Sequence, residues 1–217
     1  MTHGPFMRFG VAFALSLVLA LGTGCAVGNK HQYTAAVPVL TVETSRTTAV
    51  AVQDRRPYVL DGDKDPKFVG IQRGGFGNPF DVTTESGKPL ASDMCQTVVA
   101  ALKKKNVAAT PVDILPKATD DEAKQLLLSA SADRQILIRL IEWKSDTYQN
   151  TALIYDVRLS VFDPDGKLIA ENARQGRDDL GGGFIAPSHA KEAVPGAFRR
   201  IFEELLNEPK VLAALQA

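Results

Sequence analysis

The chain has 217 residues, with 25 lysines and arginines balanced by 25 aspartates and glutamates. That balance, with no long basic or acidic block, excludes a nucleic-acid surface built on charge and an acidic solvating tail. The length suits one domain with a proper core, and two cysteines exclude a disulfide-stapled scaffold.

The first element is an apolar run over residues 9–21, preceded by Arg8. A bilayer-spanning helix needs roughly 20 apolar residues, so this run matches the hydrophobic core of a signal peptide instead. Met7 offers an alternative start that gives the run a compact Met-Arg head. Small residues Gly22, Thr23 and Gly24 then lead into Cys25. Bacterial lipoprotein signals share this pattern, and their cysteine receives a diacylglycerol thioether. They usually carry Leu three places before the cysteine, where this chain has Gly22, with Leu21 one place further back. Ordinary secretion after cleavage and an uncleaved short anchor are the alternatives. Ala26 follows the cysteine in place of Asp, which by the sorting habit of such lipoproteins favours the outer membrane. The expected partner is therefore a membrane, held through covalent lipid on Cys25, with envelope proteins as possible further partners and no nucleic acid.

Residues 25–46 read as the lipidated cysteine and a flexible tether. Strands are expected at residues 48–53 and 68–72, with a Gly-rich turn at residues 73–79. Residues 89–105 form an amphipathic helix with Pro89 in its first turn and Lys103, Lys104 and Lys105 in its last. Cys95 lies on its apolar stripe as a buried thiol. A short strand follows at residues 107–112. Thr119-Asp120-Asp121-Glu122 is a capping box that opens a helix to about residue 131.

Three long strands come next, at residues 134–145, 151–162 and 167–175. Tyr155, Val157, Leu159 and Val161 alternate with Asp156, Arg158 and Ser160, one face for a core and one for water. Ile136, Ile138 and Leu140 share a face of the first strand. For both sets to face the core, directly opposed residues must have numbers that sum to an odd value. Asp163-Pro164-Asp165-Gly166 is a turn, and Gly181-Gly182-Gly183 a loop. Ser188 caps a final helix that Pro195 kinks or starts, and Pro209 opens a last short turn. The order predicts an α+β fold: a mixed, mostly antiparallel sheet with a C-terminal three-strand meander, and helices packed mainly on one face. Residues 1–24 are then the lipoprotein signal peptide and residues 47–217 a single domain.

With Cys25, the helix at residues 89–105 and the meander in this order, the chain resembles the YajG-like family of bacterial lipoproteins. The likeness runs over residues 45–215 and is best in DRQILIRLIEW, LIYDVRLSVFDPDGKLI and FRRIFEELLNEPKVLAAL. The segment 58–79 departs from it as a long insert. The resemblance implies a small envelope lipoprotein with no enzymatic role to carry over; Cys25 is the one residue whose role transfers.

No catalytic triad assembles from His3, His31 and His189, since the first two fall in the signal and the tether. Asp61-Gly62-Asp63-Lys64-Asp65 starts like a calcium loop, but Pro66 and Gln72 stand where Gly and Glu are required, so a solvated acidic turn is expected. Arg73-Gly74-Gly75-Phe76-Gly77 lacks the Lys-Ser/Thr step of a phosphate loop. Phe76, Phe80 and Phe184 are candidate exposed tips, with packing onto the body as the alternative. Asp54, Arg55 and Arg56 read as an ion pair at a sheet end. Asp178, Asp179 and His189 are the loop cluster to test for hydrolytic chemistry. These readings predict no enzyme, cofactor or metal. They predict instead a lipid-anchored module that acts by contact, or alternatively a small-molecule or lipid carrier with a pocket between sheet and helices.

Overall fold

The computed structural model describes residues 28–183 and 186–217. Eight strands form one sheet: β1 (Lys30–His31), β2 (Thr48–Asp54), β3 (Phe68–Arg73), β4 (Pro79–Thr84), β5 (Ala109–Pro111), β6 (Arg134–Thr147), β7 (Asn150–Phe162) and β8 (Leu168–Gly182). Among the described residues five helices accompany them: α1 (Pro57–Leu60), α2 (Leu90–Lys104), α3 (Asp120–Leu128), α4 (Ala186–Leu206) and α5 (Pro209–Gln216).

Strand β6 is the spine. Along one edge it pairs antiparallel with β7, which pairs antiparallel with β8. Its other edge is divided. Residues 134–140 pair in parallel with β2, and residues 145–147 pair in parallel with β3. Strands β5, β4 and β1 extend the two branches, with β3–β4 an antiparallel hairpin and β1 parallel to β4. The sheet is mixed as expected; its two longest ladders are antiparallel, but four of its seven pairings are parallel.

The β6–β7 register follows the odd-sum rule from Gln135↔Phe162 to Leu140↔Val157. A bulge between Leu140 and Glu142 then moves it by one, to Trp143↔Tyr155. In an unbroken strand Leu140 and Trp143 point to opposite faces; the extra residue turns both inward, and both are fully buried.

On that inner face, Val50, Val52, Ile136, Ile138, Val157 and Leu159 pack against Met94, Val98 and Leu102 of α2, Phe198 and Phe202 of α4, and Val211 of α5. Helix α3 covers the opposite face, where Ala123 and Leu127 meet Ala49, Ala51, Leu137 and Phe162. Helices thus cover both faces, with the larger core on one. Small residues on β2 permit the close approach of α3.

Several expectations change. The hairpin partner β4 and helix α1 lie where no helix or strand was anticipated. Strand β8 extends to Gly182, beyond the residue 175 foreseen. Ser188 lies inside α4, which begins at Ala186 and runs through Pro195. The segment expected as a loose tether is docked: His31, Tyr33, Leu40 and Val42 are buried. The reason is aromatic packing. Tyr33 accepts a hydrogen bond from Trp143 Nε1 at 3.0 Å and meets the Phe198 ring edge-on with centroids 5.4 Å apart. Among the described residues no helix is long and apolar enough to cross a membrane.

Candidate functional sites

Cys25 and Phe184 lie outside the described residues. The chain enters the sheet at β1, whose Lys30 is opposite Thr83 and whose His31 is opposite Thr84 of β4. Gly28 already runs beside β4: a Cβ there would fall 2.0 Å from the Asp81 carbonyl oxygen. Asn29 donates its side-chain N–H to Pro187 O, joining this entry to the start of α4.

The Gly-rich segment is the tip of the β3–β4 hairpin. Gly74 N–H bonds Asn78 O at 2.9 Å and Gly77 N–H bonds Gly74 O at 2.8 Å, with Gly77 at φ +81°. Those amides are spent on the turn itself rather than on a phosphate cradle. Phe76 at its apex is fully exposed, while Phe80 is half-buried.

At the sheet division, Asp54 and Arg56 form a buried bidentate pair, Nε to Oδ1 at 2.8 Å and Nη2 to Oδ2 at 2.6 Å. Arg56 also donates to the carbonyls of Phe68, Trp143 and Pro66. The structural role expected of this pair holds, and its partner is Arg56, not Arg55. Arg55 instead donates to Ala118 O.

His31 is buried beside Ser145, with Nε2 3.3 Å from its Oγ, and Nδ1 finds no protein partner. Burial first, and the Lys191 charge second, lower its pKa from 6.5 to about 4, so it is neutral. Cys95 is buried on α2 with Sγ 3.2 Å from Val50 O, and burial pushes its pKa up to about 11. That is an inert thiol.

Asp178, Asp179 and His189 do not converge. The two aspartates are successive residues of β8, so they point to opposite faces. Asp178 takes Arg200 of α4 and the Tyr155 hydroxyl, while Asp179 accepts from Asn150 and from Gly181 N–H. In the acidic turn, Asp65 pairs with Lys67, while Lys64 reaches out to Asp81. Among the described residues no group of three or more His, Cys, Asp or Glu side chains gathers as a metal set.

The sequence reading passed over one cleft. On the sheet's outer face Gln53, Arg139, Arg158 and Ala173 form one row across four strands. Arg139 and Arg158 are directly opposed, which costs energy unless it is offset. Asp120 at 3.2 Å and Asp156 at 2.9 Å supply the offset. The open cleft above them, about 830 Å³, is bordered by Arg55, Glu171 and Lys210. The charges of its two central arginines are answered by the Asp120 and Asp156 carboxylates. By contrast, the space between sheet and helices is filled by Tyr33, Trp143, Phe198 and Phe202, all fully buried.

No protein-family model matches this chain, and no curated protein matches it. Among solved structures, it resembles protein XCC0632 from Xanthomonas campestris, assigned to the family DUF330, with a TM-score of 0.52 and 13% identity over 86% of this chain and 94% of that one. The PelC dodecamer from Paraburkholderia phytofirmans gives a TM-score of 0.41 and 12% identity over 83% and 94%. Lipoprotein GNA1162 from Neisseria meningitidis gives 0.32 and 13% over 75% and 99%. At such identity the likeness to XCC0632 is one of fold.

Proposed function

We propose that this is a lipoprotein of the bacterial envelope, of the YajG-like type, anchored by acyl chains on Cys25 and facing the periplasm from the outer membrane. It acts by contact with other envelope components and not as an enzyme. The observation that carries this reading is the apolar run at residues 9–21 that ends in Gly22-Thr23-Gly24-Cys25. Acyl chains contribute about 0.8 kcal/mol per buried methylene, so two or more hold a protein stably on a bilayer. Confinement to that surface raises the effective concentration of the domain toward partners on the same membrane. The filled space between sheet and helices weighs against the carrier alternative, which needs an internal apolar cavity.

Metabolic labelling with a palmitate analogue tests the anchor. The wild-type chain is expected to carry the label and partition with membranes, and Cys25→Ser to lose both. Equal labelling of the two, or none on the wild type, refutes it.

A further inference from the structure

We propose that one end of the domain, the end carrying the Phe76 hairpin tip and the Tyr148 turn, rests on the lipid surface as a second, apolar contact beside the acylated cysteine. This rests on the anchor at Cys25 proposed above and adds an orientation to it.

Strand register places these features together. Strand β1 is parallel to β4, so the chain before Lys30 leads back toward the start of β4, which is the hairpin end. Gly28 lies level with Asp81, two residues from Pro79, or about 7 Å along a strand. Cys25 is three residues before Gly28, which caps its distance at about 11 Å of extended chain. A lipid on that cysteine therefore enters the membrane close to the Arg73–Pro79 tip. The β6–β7 turn is at the same end, because Gln72 is opposite Thr147 and Thr147 is opposite Thr151.

The chemistry at this end fits a bilayer interface. Among the described residues, Phe76 and Tyr148 are the exposed large aromatics, and both are here. Tyr collects at the level of lipid headgroups, and Phe is among the residues that interfacial segments bury at the headgroup–acyl boundary. Phe76 has no reason of packing to be at its apex, since the turn is closed by backbone bonds alone. Two ion pairs lie at this end, Lys64 with Asp81 at 2.7 Å and Arg73 with Asp146 at 2.8 Å. The proposed contact is carried by the two aromatic side chains, and it is expected to persist at high salt and on uncharged lipid. Acyl chains supply the affinity, and interfacial aromatics set the tilt.

The test uses the lipidated chain purified from membranes and reconstituted in phosphatidylcholine vesicles, with and without brominated acyl chains. Two variants each add one tryptophan: Phe76→Trp at the proposed contact, and Leu168→Trp, exposed at the start of β8 beside the Asp163–Gly166 turn at the other end. Native Trp143 is fully buried and its signal is subtracted with the wild type. Phe76→Trp is expected to show blue-shifted emission that brominated lipid quenches severalfold more than that of Leu168→Trp, at low and high salt alike. Flotation with the vesicles but no quenching at residue 76 overturns the contact and leaves the anchor standing. Equal quenching at both positions overturns the orientation. A residue 76 shielded from acrylamide yet unquenched by lipid means a protein covers it, which also overturns the proposal. Failure to float refutes the anchor, and this inference with it.

Discussion

Arg56 sits where the sheet divides, and each of its five N–H donors has an acceptor. Two acceptors are the Asp54 carboxylate oxygens; three are carbonyls from the Pro66–Phe68 approach and from Trp143. Burial opposes the charge, and the Asp54 carboxylate outweighs it, so the arginine's pKa rises. Removing one partner leaves the other charge buried and alone, which costs about 3–5 kcal/mol. Asp54→Asn is expected to lower the unfolding free energy by that amount and to shift the urea midpoint down in proportion, and an unchanged midpoint contradicts the role assigned. His31 contributes to the acid sensitivity of the fold. Its folded pKa, about 4, is below the unfolded 6.5, so the unfolded chain binds more protons between these values. Stability from this group is complete above pH 6.5 and is lost as pH falls toward 4, by about 3 kcal/mol in all. His31→Gln is expected to flatten that slope in denaturation curves taken across the window.

At the scale of elements, periodicity made α2, β6 and β7 legible, and Thr119 with Glu122 closes the capping box, with N–H to Oε2 at 2.8 Å in one direction and N–H to Oγ1 at 3.2 Å in the other. These are signals that lie within a few residues of one another. What sequence did not show depends on distant partners. Strand β1 is two residues long and exists because β4 is beside it. The bulge at residue 141 appears only once Trp143 must share a core with Leu140. The same is true of Tyr33, whose partners are 110 and 165 residues away at Trp143 and Phe198. The one local hint was an aromatic followed by Val37, Val39, Leu40 and Val42, with polar residues around them. Tyr33→Ala removes the ring that holds this segment down and costs about 3–5 kcal/mol. Limited proteolysis of that variant is expected to cut first within residues 28–46, while the wild type resists there. Coincident cleavage of both would mean the segment is held by something else.

Across the whole molecule, the docked amino-terminal segment leaves only residues 26–29 between Cys25 and the first strand. Under the anchor proposed for Cys25, a domain on so brief a lead is expected to stay against its bilayer with one end inward, and the Arg139–Arg158 cleft and the α3 face then belong to its flanks. Strand β6 has another consequence, in time. Every residue of β2 is buried, and its partners β5 and β6 follow about 60 and 85 residues later. As the polypeptide emerges head first, the Ala-Val-Ala-Val stretch waits unpaired, a sticky ribbon with both edges bare. Assembly of this architecture therefore waits on its spine, and for that interval the ribbon is open to pairing with the wrong edge.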